Sequence, residues 1–352
     1  MNALARRILL TLALLASTVT GIAARLDTGG GALPVEPLHP SLAGATGWLN
    51  SPPLTLEGLR GKVVLVDFWT YSCINCLRTL PYVRAWSRTY ASQGLVVVGV
   101  HAPEFEFEHD PQRVRKALKD LDADWPIAID DDFAIWHSFR NQAWPALYFI
   151  DAQGRVRHHQ LGEGNYAESE QTIRQLLAEA RADSKALPAM AAVDARGIVA
   201  APDFEHVRSE ETYLGYDHAD AAAPRDVLPD RVQRHAPATP RLNAWTLGGG
   251  WVQRPEYVEA AEAGGTVAMR FHARDLHLVL GTADARSVPF RITIDGHPPG
   301  RDHGVDVDEQ GRGVVSGERL YQLVREQDTV ADHTFEIRFD AAGARAWVFT
   351  FG

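Results

Sequence analysis

The only two cysteines of this chain, Cys73 and Cys76, stand at the start of a predicted helix. The branched and aromatic run at 63–69 precedes them and predicts a strand that is buried on both faces. Two intervening residues bring the sulfurs within bonding distance, and unpaired N–H groups at a helix N-terminus favour a thiolate. The sequence therefore predicts a reactive pair, in which Cys73 has a lowered pKa and is the nucleophile.

Two other uses of a Cys-x-x-Cys pair must be weighed. A zinc site needs further ligands, but the chain has no other cysteine and no histidine shows ligand spacing. A structural disulfide would close so short a loop that little chain entropy is gained. The pattern favours a redox pair that needs neither a metal nor a cofactor, and the other two uses remain as alternatives.

The N-terminal residues 1–24 are typical of a signal peptide. Arg6 and Arg7 precede an apolar run, and small residues follow at 21–24. An uncleaved membrane anchor is the alternative. The next segment, 25–45, is rich in glycine and proline and predicts a flexible tether. We therefore expect a periplasmic or otherwise extracytoplasmic protein, and the net charge of −10 argues against nucleic-acid binding.

The residues around the cysteines resemble a known family. The strand ending Val66-Asp67-Phe68-Trp69, with Cys73 four positions after Trp69, is similar to the strand that enters the thioredoxin active site. The segment 69–76 is most similar to the TlpA-like branch and to DipZ-type proteins. The resemblance places Asp67 beneath the cysteines. A buried carboxyl there would have a raised pKa and could take the proton of Cys76. An exposed aspartate without a role is the alternative.

The rest of the chain divides into two predicted domains. Strands alternate with helices over 46–182, which predicts an α/β domain. The resemblance implies a thioredoxin-like fold with a TlpA-type insertion. An alanine-containing linker is predicted at 183–202. Short alternating strands over 203–352 predict an all-β sandwich or jelly roll, similar to the carbohydrate-binding-like module of DipZ-type proteins. We expect this β domain to be separable from the chemistry.

Further site residues are predicted around the pair. By resemblance, Pro145 is a cis proline that faces the sulfurs and leaves backbone open for substrate. Trp144 could shield the pair, stack on a partner or simply pack. Tyr71 and Ser72 directly precede Cys73 and are predicted substrate contacts. Residues that could tune the site at the end of the next strand are His101 and Glu104. A sugar-stacking platform or core packing is predicted for Trp245, Trp251 and Tyr257.

The resemblance implies an exported thiol–disulfide oxidoreductase that acts as a reductase on periplasmic protein thiols and disulfides. It also implies a separate membrane electron donor of the CcdA/DsbD kind, and the β domain could bind a glycan. A thiol peroxidase is one alternative, because Thr70 stands three residues before Cys73, although Val66 replaces the proline of that motif. A glycan- or protein-binding protein is the other.

Overall fold

The computed structural model describes residues 33–181, 186–218, 228–284 and 286–352. The predicted signal peptide at 1–24 and the first part of the tether lie outside these residues. In the part of the chain that is described, no helix is long and apolar enough to cross a membrane.

The first domain is built on a six-stranded sheet in the order β1-β4-β3-β2-β5-β6, in which β2, β3 and β4 run parallel and the other pairings are antiparallel. Its elements are β1 Gly47–Leu49, β2 Val63–Trp69, α1 Ile74–Tyr90, β3 Leu95–His101, α2 Pro111–Asp120, β4 Ile127–Ile129, α3 Ala134–Ser138, β5 Ala146–Ile150, β6 Val156–Leu161 and α4 Tyr166–Ala180. Since β2 lies between two strands and under helices, all seven of its residues are buried. The predicted thioredoxin-like α/β fold is confirmed.

Helix α1 carries the cysteines at its first turn. Cys73 is its N-cap residue, with extended backbone angles, so the helix begins directly after the end of β2. Pro81 lies inside the helix. Gly94 ends the following turn with φ of 102°, which glycine adopts without strain. The strand thus delivers the cysteine pair to the C-terminal edge of the sheet.

The second domain is a sandwich of two antiparallel sheets. One sheet has the order β15-β12-β17-β10-β9-β8, with β7 also paired to β17, and the other has the order β11-β16-β13-β14. Its strands are β7 Thr212–Tyr213, β8 Val232–His235, β9 Ala244–Gln253, β10 Val258–Ala260, β11 Thr266–His272, β12 Asp275–Thr282, β13 Val288–Ile294, β14 Arg312–Val315, β15 Arg319–Arg325, β16 Asp332–Phe339 and β17 Ala344–Phe351. Phe335 and Phe349 pack between the sheets with ring centroids 5.9 Å apart. The predicted sandwich is confirmed.

The two domains share an interface. The rings of Phe107 and Trp347 pack edge to face with centroids 5.0 Å apart, and the ring centroids of Phe105 and Tyr213 are 6.3 Å apart. The linker region also docks, since Arg325 donates a hydrogen bond to the carbonyl of Gly197 at 2.7 Å. The expectation that the chemistry can be separated stays a prediction, although the redox domain packs against the β domain. Its sequence contains no cysteine, but its aromatic residues pack against the loop beside the redox pair.

Candidate active site

The cysteine pair lies at the N-terminus of α1 as two free thiols. Cys73 is partly exposed and Cys76 is buried. The backbone N–H of Cys76 donates to Cys73 Sγ at 3.2 Å. The partial exposure of Cys73 suits a nucleophile, and the buried position of Cys76 suits a resolving thiol.

The ionisation of Cys73 differs from the sequence prediction. Burial raises the pKa of Cys73, hydrogen bonds from Cys76 offset part of this effect, and the charges of Glu104 and Glu211 raise the pKa further. The predicted lowering of the pKa of Cys73 is therefore wrong, because desolvation outweighs the hydrogen bonds from Cys76 that favour the thiolate. Burial holds the pKa of Cys76 well above its ordinary value, so Cys73 remains the thiol that is easier to ionise.

Asp67 is a buried carboxyl on β2, the strand that leads into the pair. It is 1% exposed, and burial raises its pKa to about 7. Neither carboxylate oxygen has a hydrogen-bond partner among the residues that the structure describes. Its charge raises the pKa of Cys76, which places the two groups within electrostatic reach of each other. The raised pKa suits a group that exchanges a proton near neutral pH. The alternative of an exposed aspartate is wrong, because the carboxyl is buried.

The peptide bond between Trp144 and Pro145 is cis, as the resemblance implied. Trp144 is half-buried, and its indole N–H donates to the carbonyl of Ala102 at 3.1 Å. Its ring packs on Trp136 at a centroid distance of 4.2 Å. Packing therefore accounts for much of Trp144, and its remaining exposed surface is available to a partner.

Tyr71 and Ser72 brace the loop before Cys73. Tyr71 is buried, stacks on His101 at 5.9 Å and donates to the carbonyl of Phe107 at 3.3 Å. Ser72 is buried and donates to Glu108 Oε1 at 2.6 Å. Both side chains therefore have internal contacts that hold the loop, and substrate contact by Tyr71 and Ser72 stays a prediction.

The two predicted tuning residues, His101 and Glu104, have different environments. His101 is buried, its Nε2 lies 3.4 Å from Thr70 Oγ1, and burial lowers its pKa to about 3. It is therefore a neutral ring within the core. Burial and then the charges of Glu211 and Glu108 raise the pKa of Glu104 to about 8. The charge of Glu104 raises the pKa of Cys73, whereas the ring of His101 stacks on Tyr71.

The sequence did not point to Glu108 or to two residues of the β domain, Glu211 and Tyr213. Glu108 Oε2 accepts hydrogen bonds from the backbone N–H groups of Glu104 at 2.6 Å and Phe105 at 3.2 Å. The Tyr213 hydroxyl donates to Glu104 Oε1 and lies 3.2 Å from Glu211 Oε2. The alternation Glu104-Phe105-Glu106-Phe107-Glu108 was a signal for a half-buried acidic segment, but nothing in sequence linked it to residues a hundred positions away.

The predicted sugar-stacking platform is wrong for two of its three aromatics. Trp245 and Trp251 are each 1% exposed and belong to the core of the sandwich. Tyr257 packs on Trp347 at 5.0 Å and under Arg345 at 4.7 Å. The alternative of core packing holds for both tryptophans, because they fill the space between the sheets.

The fold and this site define a thioredoxin-fold protein with a vicinal dithiol. The family described as Redoxin matches residues 49–177, and the family described as Thioredoxin like C-terminal domain matches residues 209–352. Protein DipZ of Mycobacterium tuberculosis is 36% identical over 331 residues, which cover 89% of this chain and 42% of DipZ. The chain thus spans less than half the length of that relative.

A second relative matches along nearly its whole length. Thiol-disulfide oxidoreductase YkuV of Bacillus subtilis is 36% identical over 141 residues, which cover 40% of this chain and 94% of YkuV. A solved thioredoxin-like protein in the oxidized form is 33% identical and covers 42% of this chain and 96% of its own, with a TM-score of 0.36. The chain belongs to the thioredoxin-like family of thiol–disulfide oxidoreductases, in its TlpA/DipZ-type branch.

Proposed function

We propose that this protein is an extracytoplasmic thiol–disulfide oxidoreductase that reduces disulfides formed by protein cysteines. The observation that carries the proposal is the arrangement of the pair. Cys73 is partly exposed at a helix N-terminus, Cys76 is buried one turn further along, and Asp67 is buried within electrostatic reach of Cys76.

The reaction is an exchange of two electrons and two protons. The Cys73 thiolate attacks one sulfur of the substrate disulfide, forms a mixed disulfide and releases the first substrate thiolate. The Cys76 thiolate then attacks Cys73 Sγ, forms the Cys73–Cys76 disulfide and releases the second substrate thiolate. The protons that leave the two protein thiols end on the two substrate thiols. The protein pair is oxidised and the substrate disulfide is reduced.

Asp67 fits the role of the base for the second step. A buried thiol with a pKa well above its ordinary value needs a base to become a nucleophile near neutral pH. Asp67, with a pKa raised to about 7, is ionised in part at that pH. It can accept the proton of Cys76 directly or through one water as the mixed disulfide collapses.

The electrostatics of Cys73 favour the reducing direction. Strong oxidants of this fold have a low thiol pKa, and the stabilised thiolate favours their reduced form. In this chain burial and two carboxylates oppose that thiolate. The dithiol therefore lacks the stabilisation that would make the disulfide strongly oxidising.

The proposed partners are exported proteins with cysteines and a separate membrane donor of dithiol electrons of the CcdA/DsbD kind. The donor is needed because each turnover leaves the Cys73–Cys76 pair oxidised. The export proposal rests on residues 1–24 of the sequence. A glycan ligand of the β domain would need a surface other than Trp245 and Trp251, because both are buried.

The test is reduction of insulin disulfides with dithiothreitol as the regenerating reductant. Cys73→Ser should abolish the reaction, whereas Cys76→Ser should accumulate mixed disulfides that electrophoresis without reductant detects. A reduction potential near the thioredoxin value of about −270 mV supports a reductase, and one near about −120 mV identifies an oxidant. Full activity of Cys73→Ser would overturn the proposal. Rapid peroxide consumption by a variant that retains only Cys73 would favour the peroxidase instead.

A further inference from the structure

The β domain contacts the redox domain along the loop that follows β3. Successive residues of this loop take part. The Glu104 carboxylate accepts from the Tyr213 hydroxyl, and the Glu106 N–H donates to Glu256 at 3.1 Å. The ring of Phe107 packs edge to face on Trp347. The β domain thus fixes both the side chain of Glu104 and the backbone beside it.

Carboxylates from both domains meet at this loop. Glu104 and Glu108 belong to the redox domain, and Glu211 and Glu256 belong to the β domain. All four have a pKa raised by burial. The Tyr213 hydroxyl bridges Glu104 and Glu211, so these two carboxylates lie on either side of one donor.

This cluster reaches the residue directly before the nucleophile, because the Ser72 hydroxyl donates to Glu108 at 2.6 Å. Apart from its burial and its contacts with Cys76, the largest influences on the pKa of Cys73 are the charges of Glu104 and Glu211, and both raise it. Glu108 is held by Ser72 and by the backbone of the loop. Negative charge from two domains therefore opposes the thiolate of Cys73.

We propose that Tyr213 and Glu211 make the β domain a working part of the redox site. They are positioning residues. Tyr213 holds Glu104 beside Cys73, and Glu211 adds a second carboxylate, so that the docked β domain sets how readily Cys73 ionises. The inference rests on the proposed function for its biological meaning, but it concerns the ionisation of one thiol and is measurable without turnover.

The experiment measures alkylation of Cys73 by iodoacetamide against pH in the full chain. A Cys76→Ala background leaves Cys73 as the only thiol. The variants are Glu211→Gln and Tyr213→Phe, and the matched control is Glu309→Gln, which removes an exposed carboxylate from the same domain. Tyr213→Phe keeps the ring and removes only the hydroxyl. Circular dichroism checks that each protein is folded.

We expect the midpoint of Cys73 alkylation to move to lower pH in both variants. At alkaline pH, where Glu104 with its pKa of about 8 is ionised with or without Glu211, Glu211→Gln removes a negative charge and should raise the thiolate fraction of Cys73 by about three- to tenfold. The rate should rise less, by about two- to threefold, because a thiolate of lower pKa is a weaker nucleophile. In Tyr213→Phe, Glu104 loses the hydrogen bond that favours its anion, stays protonated to higher pH and opposes the thiolate less.

An unchanged midpoint in either variant, relative to the Glu309→Gln control, overturns the role of that residue, and an unchanged midpoint in both overturns the proposal. A shift to higher pH also overturns it. Insulin reduction by the protein with both cysteines is measured separately. A protein that titrates as expected but reduces no disulfide would refute the proposed function and leave this inference standing.

Discussion

Asp67 makes folding stability depend on pH in a direction opposite to that of most carboxylates. Its folded-state pKa of about 7 exceeds the ordinary value of 3.8, because burial without a hydrogen-bond partner in the described residues disfavours the anion. Between these two values the folded protein keeps a proton that the unfolded chain has lost. The contribution of Asp67 to the free energy of unfolding is therefore fully present below about pH 4 and is lost as the pH rises towards 7.

The magnitude follows from the two pKa values. At about 1.4 kcal/mol per pKa unit, a rise from 3.8 to about 7 costs about 4 kcal/mol of unfolding free energy above pH 7. Asp67→Asn replaces the carboxyl with a neutral group of the same shape. The free energy of unfolding of the variant should equal that of the wild type near pH 4 and exceed it above pH 7. The advantage should grow by about 2–3 kcal/mol between pH 5 and pH 8.

The assay compares guanidinium unfolding of the two proteins at both pH values. A two-domain protein need not unfold in one step, so the transition of the α/β domain is followed through Cys76, which is 1% exposed. A pyridyl disulfide probe reports its exposure in a Cys73→Ser background, where Cys76 is the only thiol. A stability difference that is the same at pH 5 and pH 8, or that is larger at pH 5, would refute the reasoning.

Two further predictions concern turnover and the domain interface. Asp67→Asn should slow insulin reduction most near pH 7 and progressively less in alkali, where hydroxide can take the proton of Cys76; equal slowing at every pH would argue against proton transfer. Phe105→Ala should lower the unfolding free energy by about 3–5 kcal/mol, because this 1%-exposed ring packs between Phe107 and Tyr213. Phe204→Ala, at a side chain that is 66% exposed, is the control for denaturant unfolding, and equal losses in the two variants would contradict the prediction.

Much of the redox domain could be predicted because its signals are local. The apolar run of β2, the two cysteines and the carboxyl of Asp67 lie within one short segment, and a strand followed by a helix fixes their spacing. The alternating pattern beyond residue 203 likewise predicted a sandwich, because the two-residue period of a strand records which side chains face the core. The roles of Trp144, Tyr71 and Ser72 were harder to predict, since they depend on the loops packed around them.

The sequence by itself determined which atoms exchange electrons and on what kind of scaffold, because neighbouring residues and their periodicity specify both. Only the tertiary structure decided how readily Cys73 ionises. The helix N-terminus is a local feature and favours the thiolate, but desolvation and the charges of Glu104 and Glu211 depend on what packs nearby. Glu104 meets Tyr213 across 109 positions of sequence. Electrostatic energy depends on distance and burial in space, so no local pattern could reveal that the β domain packs against the loop that follows β3.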